Sequence, residues 1–395
     1  MENIKEELYN FNPWWEADYK PALIRREKYL QKLNASLKQR DIIILTGLRR
    51  IGKTSIMKQF ISDLCNTENP KTIFYASLDS ILLEKFSVHY LVREFRKIHH
   101  LKRDQKIFLF FDEAAYREDI NRELKNLYDS ENVKLFVSSS SSSILRDKSA
   151  LLTGRTKRIE ILPLDFSEYL NFKNLKIQES EQYLTEQYFE DYMRMGGIPE
   201  FILTSDTAYL ENLIESIIYK DIAFYRGVSD TTTLKEFFRV LMERAGKQLS
   251  LNKVSNIMGI STQTAKRYFD YFRETYLIYT MERYGKLNER IRAPKKIYAA
   301  DTGIRNYITG FRDKGSLFEN LFYLLIKDKS PSYIYKDGTE LDFYYDDIIC
   351  EIKYGLGSDP KQQALMDSMK AKKKYFISGV DSFLDFEKEL YLKKK

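Results

Sequence analysis

Four short apolar runs and one alternating stretch punctuate the first 160 or so residues, with amphipathic stretches between them: Ile42–Leu45, Thr72–Ser77, Ile107–Phe111, Lys134–Ser138 and, alternating, Lys157–Ile161. Runs that are apolar at consecutive positions predict strands buried on both faces, and helical spacing between them gives a βαβ rhythm. The expected result is a mostly parallel sheet. Upstream, an irregular start with Pro13-Trp14-Trp15 leads into a helix with Ile24, Tyr29, Leu30 and Leu33 on one face. From Pro163 to about Tyr225 the pattern is helical, interrupted at Gly196-Gly197-Ile198-Pro199. Residues 233–300 read as helices followed by a hairpin, and residues 315–385 return to mixed α/β.

The first run ends in Gly47-Leu48-Arg49-Arg50-Ile51-Gly52-Lys53-Thr54-Ser55, and a helical pattern from Ile56 to Leu64 follows. Strand, glycine-bounded loop, Lys-Thr and helix make the signature of a phosphate-binding loop. The glycines let backbone N–H groups turn onto phosphate oxygens, and the helix start adds the positive end of its dipole. In this pattern Lys53 reaches the β- and γ-phosphates and the Thr54 hydroxyl ligates Mg²⁺. Arg49 and Arg50 read as phosphate contacts or positioners. The third run ends in Asp112-Glu113, which places Asp112 to hold Mg²⁺ through water and Glu113 to polarise the attacking water. The fourth ends at Ser138-Ser139, where a hydroxyl reaches the γ-phosphate or the lytic water, although serine at a strand end is common. Arg155 reads either as a cation for the transferring phosphate, in cis or across a subunit boundary, or as a surface arginine. ATP and Mg²⁺ are the expected cofactors.

The chain has 395 residues, 31% charged and 43% apolar, which suits a soluble globular protein with two or three cores. Its longest apolar stretches, such as Leu321–Ile326, are too short to span a bilayer. Met1 to Tyr9 is acidic and polar, so no leader is expected and the expected compartment is the cytoplasm. The net charge of +7 permits nucleic-acid binding without requiring it. Cys65 and Cys350 fall in apolar segments and read as buried thiols. His99 and His100 read as a solvated helix end and not as zinc ligands.

Leu251 to Met258, a turn at Gly259-Ile260-Ser261, and Thr262 to Thr275 read as a helix-turn-helix whose second helix presents Gln263, Lys266, Arg267 and Arg273. A hairpin, Ile278–Tyr284 and Lys295–Ala299, carries Lys286, Arg290, Arg292 and Lys296 in or near its tip. Basic side chains on a helix and a wing suit a DNA backbone. A pure packing module is the other reading. Farther on, Glu319 lies on a helix, Glu340 and Asp342 alternate onto one strand face, and Glu351 and Lys353 onto another. Helix–strand–strand–strand–helix–strand with Glu, Asp and Glu-X-Lys resembles a restriction-endonuclease-like core. That resemblance implies Glu319, Asp342 and Glu351 sharing one or two Mg²⁺ ions, with Lys353 positioning the water or offsetting charge on the phosphate. Either such a site cuts nucleic acid, or it is a relict that only binds.

Nearly the whole chain resembles the archaeal-type P-loop ATPases related to the AAA and STAND classes, which carry a winged helix and often a restriction-endonuclease-like domain. The residues that carry the resemblance are Asn12-Pro13-Trp14-Trp15, the phosphate loop, Phe111-Asp112-Glu113, Gly154-Arg155 and Pro163 to Tyr169. Gly196-Gly197-Ile198-Pro199-Glu200 and Tyr298-Ala299-Ala300-Asp301-Thr302-Gly303 complete them. The resemblance implies an α/β fold with an N-terminal extension (1–40), a P-loop NTPase core with a parallel sheet (41–162) and a helical lid (163–230). A winged helix-turn-helix (231–312) and a restriction-endonuclease-like α/β domain (313–395) follow. It also places Pro199 near the adenine, although Gly-Gly-X-Pro is equally a simple turn. Two departures stand out. Ala114-Ala115-Tyr116 replaces an Ile-Gln pair, and six serines, Ser138 to Ser143, replace Gly-Ser-Ser. The implied function is a Mg²⁺-dependent ATPase acting on DNA and coupled to a nuclease-like domain. The alternative is a STAND-like switch with a non-catalytic binding module. A homo-oligomer is compatible with both.

Overall fold

A computed structural model describes residues 4–117, 119–140, 152–355, 357 and 359–392. The chain divides into two compact units, Met1–Leu162 and Pro163–Lys395. The first is built on five parallel strands: β1 (Ile42–Thr46), β2 (Ile73–Ser77), β3 (Ile107–Asp112), β4 (Val133–Ser139) and β5 (Thr156–Glu160). Their order is β2-β3-β4-β1-β5. Every residue of β1, β3 and β4 is buried, as expected of a parallel sheet covered on both faces by crossover helices. Those helices include Lys53–Cys65, Val88–Ile98 and Ile120–Ser130.

The first residues of the chain cover the β2 edge, whose backbone groups would otherwise stand unpaired. Asn12 brackets Tyr75, accepting its N–H at 2.6 Å and donating to its carbonyl at 2.9 Å. The indole N–H groups of Trp14 and Trp15 both donate to the Ile73 carbonyl, at 3.1 and 2.8 Å. His99 belongs to this cluster, with its ring 4.4 Å from that of Trp15. The expectation of a solvated helix end therefore does not hold for His99, which is half-buried against the Trp15 ring.

The second unit begins with helices, the first of them (Phe166–Phe172) opened by a capping box between Asp165 and Glu168. Helices Leu251–Met258 and Thr262–Glu274 follow one another across a turn. A seven-stranded sheet then forms from β6 (Gln248–Leu249), β7 (Ile278–Arg283), β8 (Lys295–Ala299), β9 (Ser332–Lys336), β10 (Thr339–Tyr345), β11 (Ile348–Ile352) and β12 (Lys373–Ile377). Its order is β12-β11-β10-β9-β7-β8-β6. The β7–β8 hairpin carries a short helix, Leu287–Arg292, in its connection. β7 also pairs in parallel with β9, through Glu282↔Ser332 and Arg283↔Tyr333. The hairpin after the helix-turn-helix is therefore continuous with the C-terminal strands. Ile334, Leu341, Ile349 and Met366 form one buried cluster beneath them. Cys65 is half-buried and Cys350 buried, both as free thiols. Among the described residues, no helix is long and apolar enough to cross a membrane.

Candidate functional site

The phosphate loop leaves β1 at its carboxyl end and turns into the helix Lys53–Cys65. Gly47 has φ +135, and a Cβ there would lie 2.3 Å from the Ile161 carbonyl oxygen, so only glycine fits. Gly52 caps the helix in the left-handed region, with φ 96. Leu48 and Ile51 are buried and anchor the loop from within, while Arg50, with φ 58, is exposed. The first amides of a helix lack partners inside it, and here they belong to Lys53, Thr54 and Ser55. Lys53 is buried, and its ammonium donates to the Gly47 and Leu48 carbonyls at 3.1 and 3.0 Å.

Asp112 ends β3 beside this loop and gathers three hydroxyls. Thr54 donates to Oδ2 at 2.6 Å, Tyr75 to Oδ2 at 2.9 Å, and Ser138 to Oδ1. Ser138 is fully buried and also accepts the Glu113 N–H at 3.0 Å, so it holds the acidic turn. Glu113 adopts φ 49, a left-handed conformation that costs a non-glycine residue about 1–2 kcal/mol. Burial raises its carboxyl pKa, and the charges of Lys53 and Arg49 oppose the rise. The Ser140 hydroxyl lies 3.3 Å from Oε2. Tyr75 was not singled out in the sequence. A tyrosine in a strand that is otherwise apolar or small, Ile73–Ser77, was the available signal.

Arg26 was also missed. It is buried, donates to the Ile51 and Leu162 carbonyls at 3.2 and 3.0 Å, and lies 4.7 Å from the Tyr29 ring centre. It thereby braces the phosphate loop against the exit of β5. Arg155 falls elsewhere. It precedes β5 at the end where Ile42 pairs with Thr156, whereas the loop leaves the end where Thr46 pairs with Glu160. Four strand steps separate the two ends, about 13 Å. Arg155 sits 3.4 Å from Asp129, so its expected role in cis is corrected to a surface ion pair. Pro199 opens the helix Pro199–Thr204 in the second unit. Half of the six-serine run, Ser141 to Ser143, lies outside the described residues.

The second constellation also assembles. The strand register shifts between Leu341 and Tyr344, a bulge that spans Asp342. Asp342 Oδ2 accepts the Ile352 N–H at 3.0 Å, and Glu351 Oε2 accepts the Asp342 N–H at 3.2 Å. Lys353 donates to Glu351 Oε1 at 2.6 Å. Glu319 joins from the helix Lys314–Ile326 and accepts the Tyr298 hydroxyl at 2.7 Å. Lys296 was expected at a DNA-facing hairpin tip. Instead it is 2% exposed and lies 2.8 Å from Glu319, 2.6 Å from Glu340 and 3.3 Å from Asp342. Burial works against its charge, but these carboxylates hold its pKa well above the usual lysine value. Burial pushes Glu319 up to about 7 and Glu351, beside Asp342, up to about 8.

Residues 39–170 match the family model of an AAA domain. The chain carries an AAA-type P-loop ATPase domain. Residues 186–315 match a domain of unknown function. An uncharacterized protein of Haemophilus influenzae is 27% identical over 342 residues, covering 82% of this chain and 84% of the relative. One from Methanocaldococcus jannaschii is 26% identical over 364 residues, covering 86% and 80%. The solved Walker-type ATPase of Pyrococcus abyssi shares 15% identity, with TM-score 0.49, over 74% of this chain and 97% of that one.

The ATPase domain fits a nucleotide with a divalent ion. A Cβ at Gly52 would meet nothing within 4 Å, so the loop mouth is open. The Thr54 hydroxyl and Asp112 carboxylate already touch, which is the oxygen donor pair such an ion needs. Bound there, Mg²⁺ would neutralise developing charge across the phosphates.

Proposed function

We propose that this chain is a Mg²⁺-dependent ATPase whose turnover is coupled to DNA held by its second unit. The carrying observation is the convergence of Thr54, Asp112 and Glu113 at the carboxyl edge of the sheet, beside the phosphate loop. Lys53 and the loop amides bind and orient the phosphates, and Asp112 with Thr54 holds the ion. Glu113 takes the proton of the attacking water, and its raised proton affinity suits a base working near neutral pH. Lys53→Ala should abolish turnover. Glu113→Gln should slow it by roughly 10²–10⁴-fold while sparing ATP binding. Normal hydrolysis by Lys53→Ala would overturn the site assignment.

For DNA, the support is the exposed row Gln263, Lys266 and Arg267 on the second helix of the helix-turn-helix. ATP turnover stimulated by duplex DNA is the expected outcome. The second reading, a STAND-like switch with a non-catalytic C-terminal binding module, is favoured by the Lys296 ammonium among the carboxylates. Nucleotide-dependent oligomerisation without a response to DNA would select it.

A further inference from the structure

Two of the three carboxylates that a nuclease of this type would use to hold Mg²⁺, Glu319 and Asp342, already contact a cation. We infer that Lys296 is the resident counter-ion of the C-terminal carboxylate cluster, a tethered ammonium in place of a metal, so that this site takes no divalent ion and cuts no nucleic acid. The inference rests on reading the second unit as a binding module.

Three observations converge on it. First, the Lys296 ammonium contacts Glu319, Glu340 and Asp342 at 2.6–3.3 Å while almost fully buried. A second cation among the same oxygens would meet its charge at close range in a medium that screens poorly. Second, the oxygens of Asp342 and Glu351 already have donors. Asp342 has Lys296 and the Ile352 N–H, and Glu351 has Lys353 and the Asp342 N–H. Third, among the described residues no group of three His, Cys, Asp or Glu side chains is arranged to hold a metal ion.

The donors and the acids come from different parts of the second unit. Lys296 and Tyr298 lie on β8, and Gln248, which donates to Glu340 at 2.6 Å, lies on β6. Both strands flank the helix-turn-helix. Glu319, Glu340, Asp342 and Glu351 come from the C-terminal segment. The cluster therefore serves as a polar lock that fixes the hairpin to the C-terminal strands, with Lys296 as its bolt.

Mn²⁺ binding to the nucleotide-free full chain, read by electron paramagnetic resonance, tests this on wild type, Asp342→Asn, Lys296→Met and Lys296→Met/Asp342→Asn. Wild type and Asp342→Asn should bind alike. Lys296→Met should gain one Mn²⁺ site at least 10-fold tighter than any in wild type, lost again in the double variant. If Lys296→Met is poorly folded, Mn²⁺ should raise its melting temperature and leave that of wild type unchanged. A wild-type Mn²⁺ site that disappears in Asp342→Asn would overturn the inference, as would DNA cleavage that depends on Asp342. ATP turnover and its response to DNA, measured on the same wild-type sample, report separately on the proposed function.

Discussion

His99 is half-buried against Trp15, with their ring centres 4.4 Å apart. Burial, followed by the positive charges of Lys71, His100 and Lys5, lowers its pKa to about 4. The unfolded chain takes up this proton near pH 6.5, earlier than the folded one. Stability that is present above pH 6.5 should therefore be lost as the pH falls toward 4. Trp14 and Trp15 are the only tryptophans, so fluorescence reads the unit that contains His99. Urea midpoints followed by that fluorescence should fall between pH 6.5 and 4.5 in wild type, and less in His99→Phe. Equal falls would remove His99 as the cause. Lys53, Thr54 and Asp112 were legible because a contiguous loop and a strand end specify them. Arg26, Tyr75, His99 and Lys296 were not, because their partners lie far away in the chain. A lysine's charge has the same appearance in sequence whether it faces water or three carboxylates.

At the scale of elements, two glycine-bearing segments noted separately in the sequence are two halves of one contact. Asp301 accepts the Gly197 N–H at 2.6 Å and the Ile304 N–H at 2.9 Å, capping the helix Thr302–Thr309 while holding the Gly196-Gly197 turn. A Cβ on Gly196 would come within 2.4 Å of Asp301 Oδ1, and one on Gly303 within 2.0 Å of the Met195 carbonyl oxygen. Gly303→Ala should therefore destabilise the second unit by about 1–3 kcal/mol, since overpacking forces backbone to move. Thermal melts by far-UV circular dichroism would show it, and an unchanged midpoint would mean that the contact yields easily. Strand positions were legible from apolar runs. The bulge at Asp342 and the β7–β9 pairing were not, because register depends on neighbouring strands.

At the scale of the whole molecule, the ATPase machinery lies in the first unit, and the helix-turn-helix and carboxylate cluster lie in the second. Of the basic residues expected to face DNA, Arg273 pairs with Asp270 at 3.0 Å and Arg290 with Glu282 at 2.7 Å, while Lys266 and Arg267 are exposed. Replacing Lys266 and Arg267 together with glutamine should weaken DNA binding by the full chain. It should also flatten the slope of log affinity against log salt by about two, from two lost phosphate contacts. An unchanged slope would place DNA contact elsewhere. The sequence by itself determined the parallel sheet, the phosphate loop and the acidic strand end, because periodicity and contiguous spacing encode local geometry. Only the tertiary structure decided that Arg155 stands at the far end of the sheet and that Ser138 turns to Asp112. It also put Lys296 inside the acidic cluster, since each of these depends on which distant strands and helices come together.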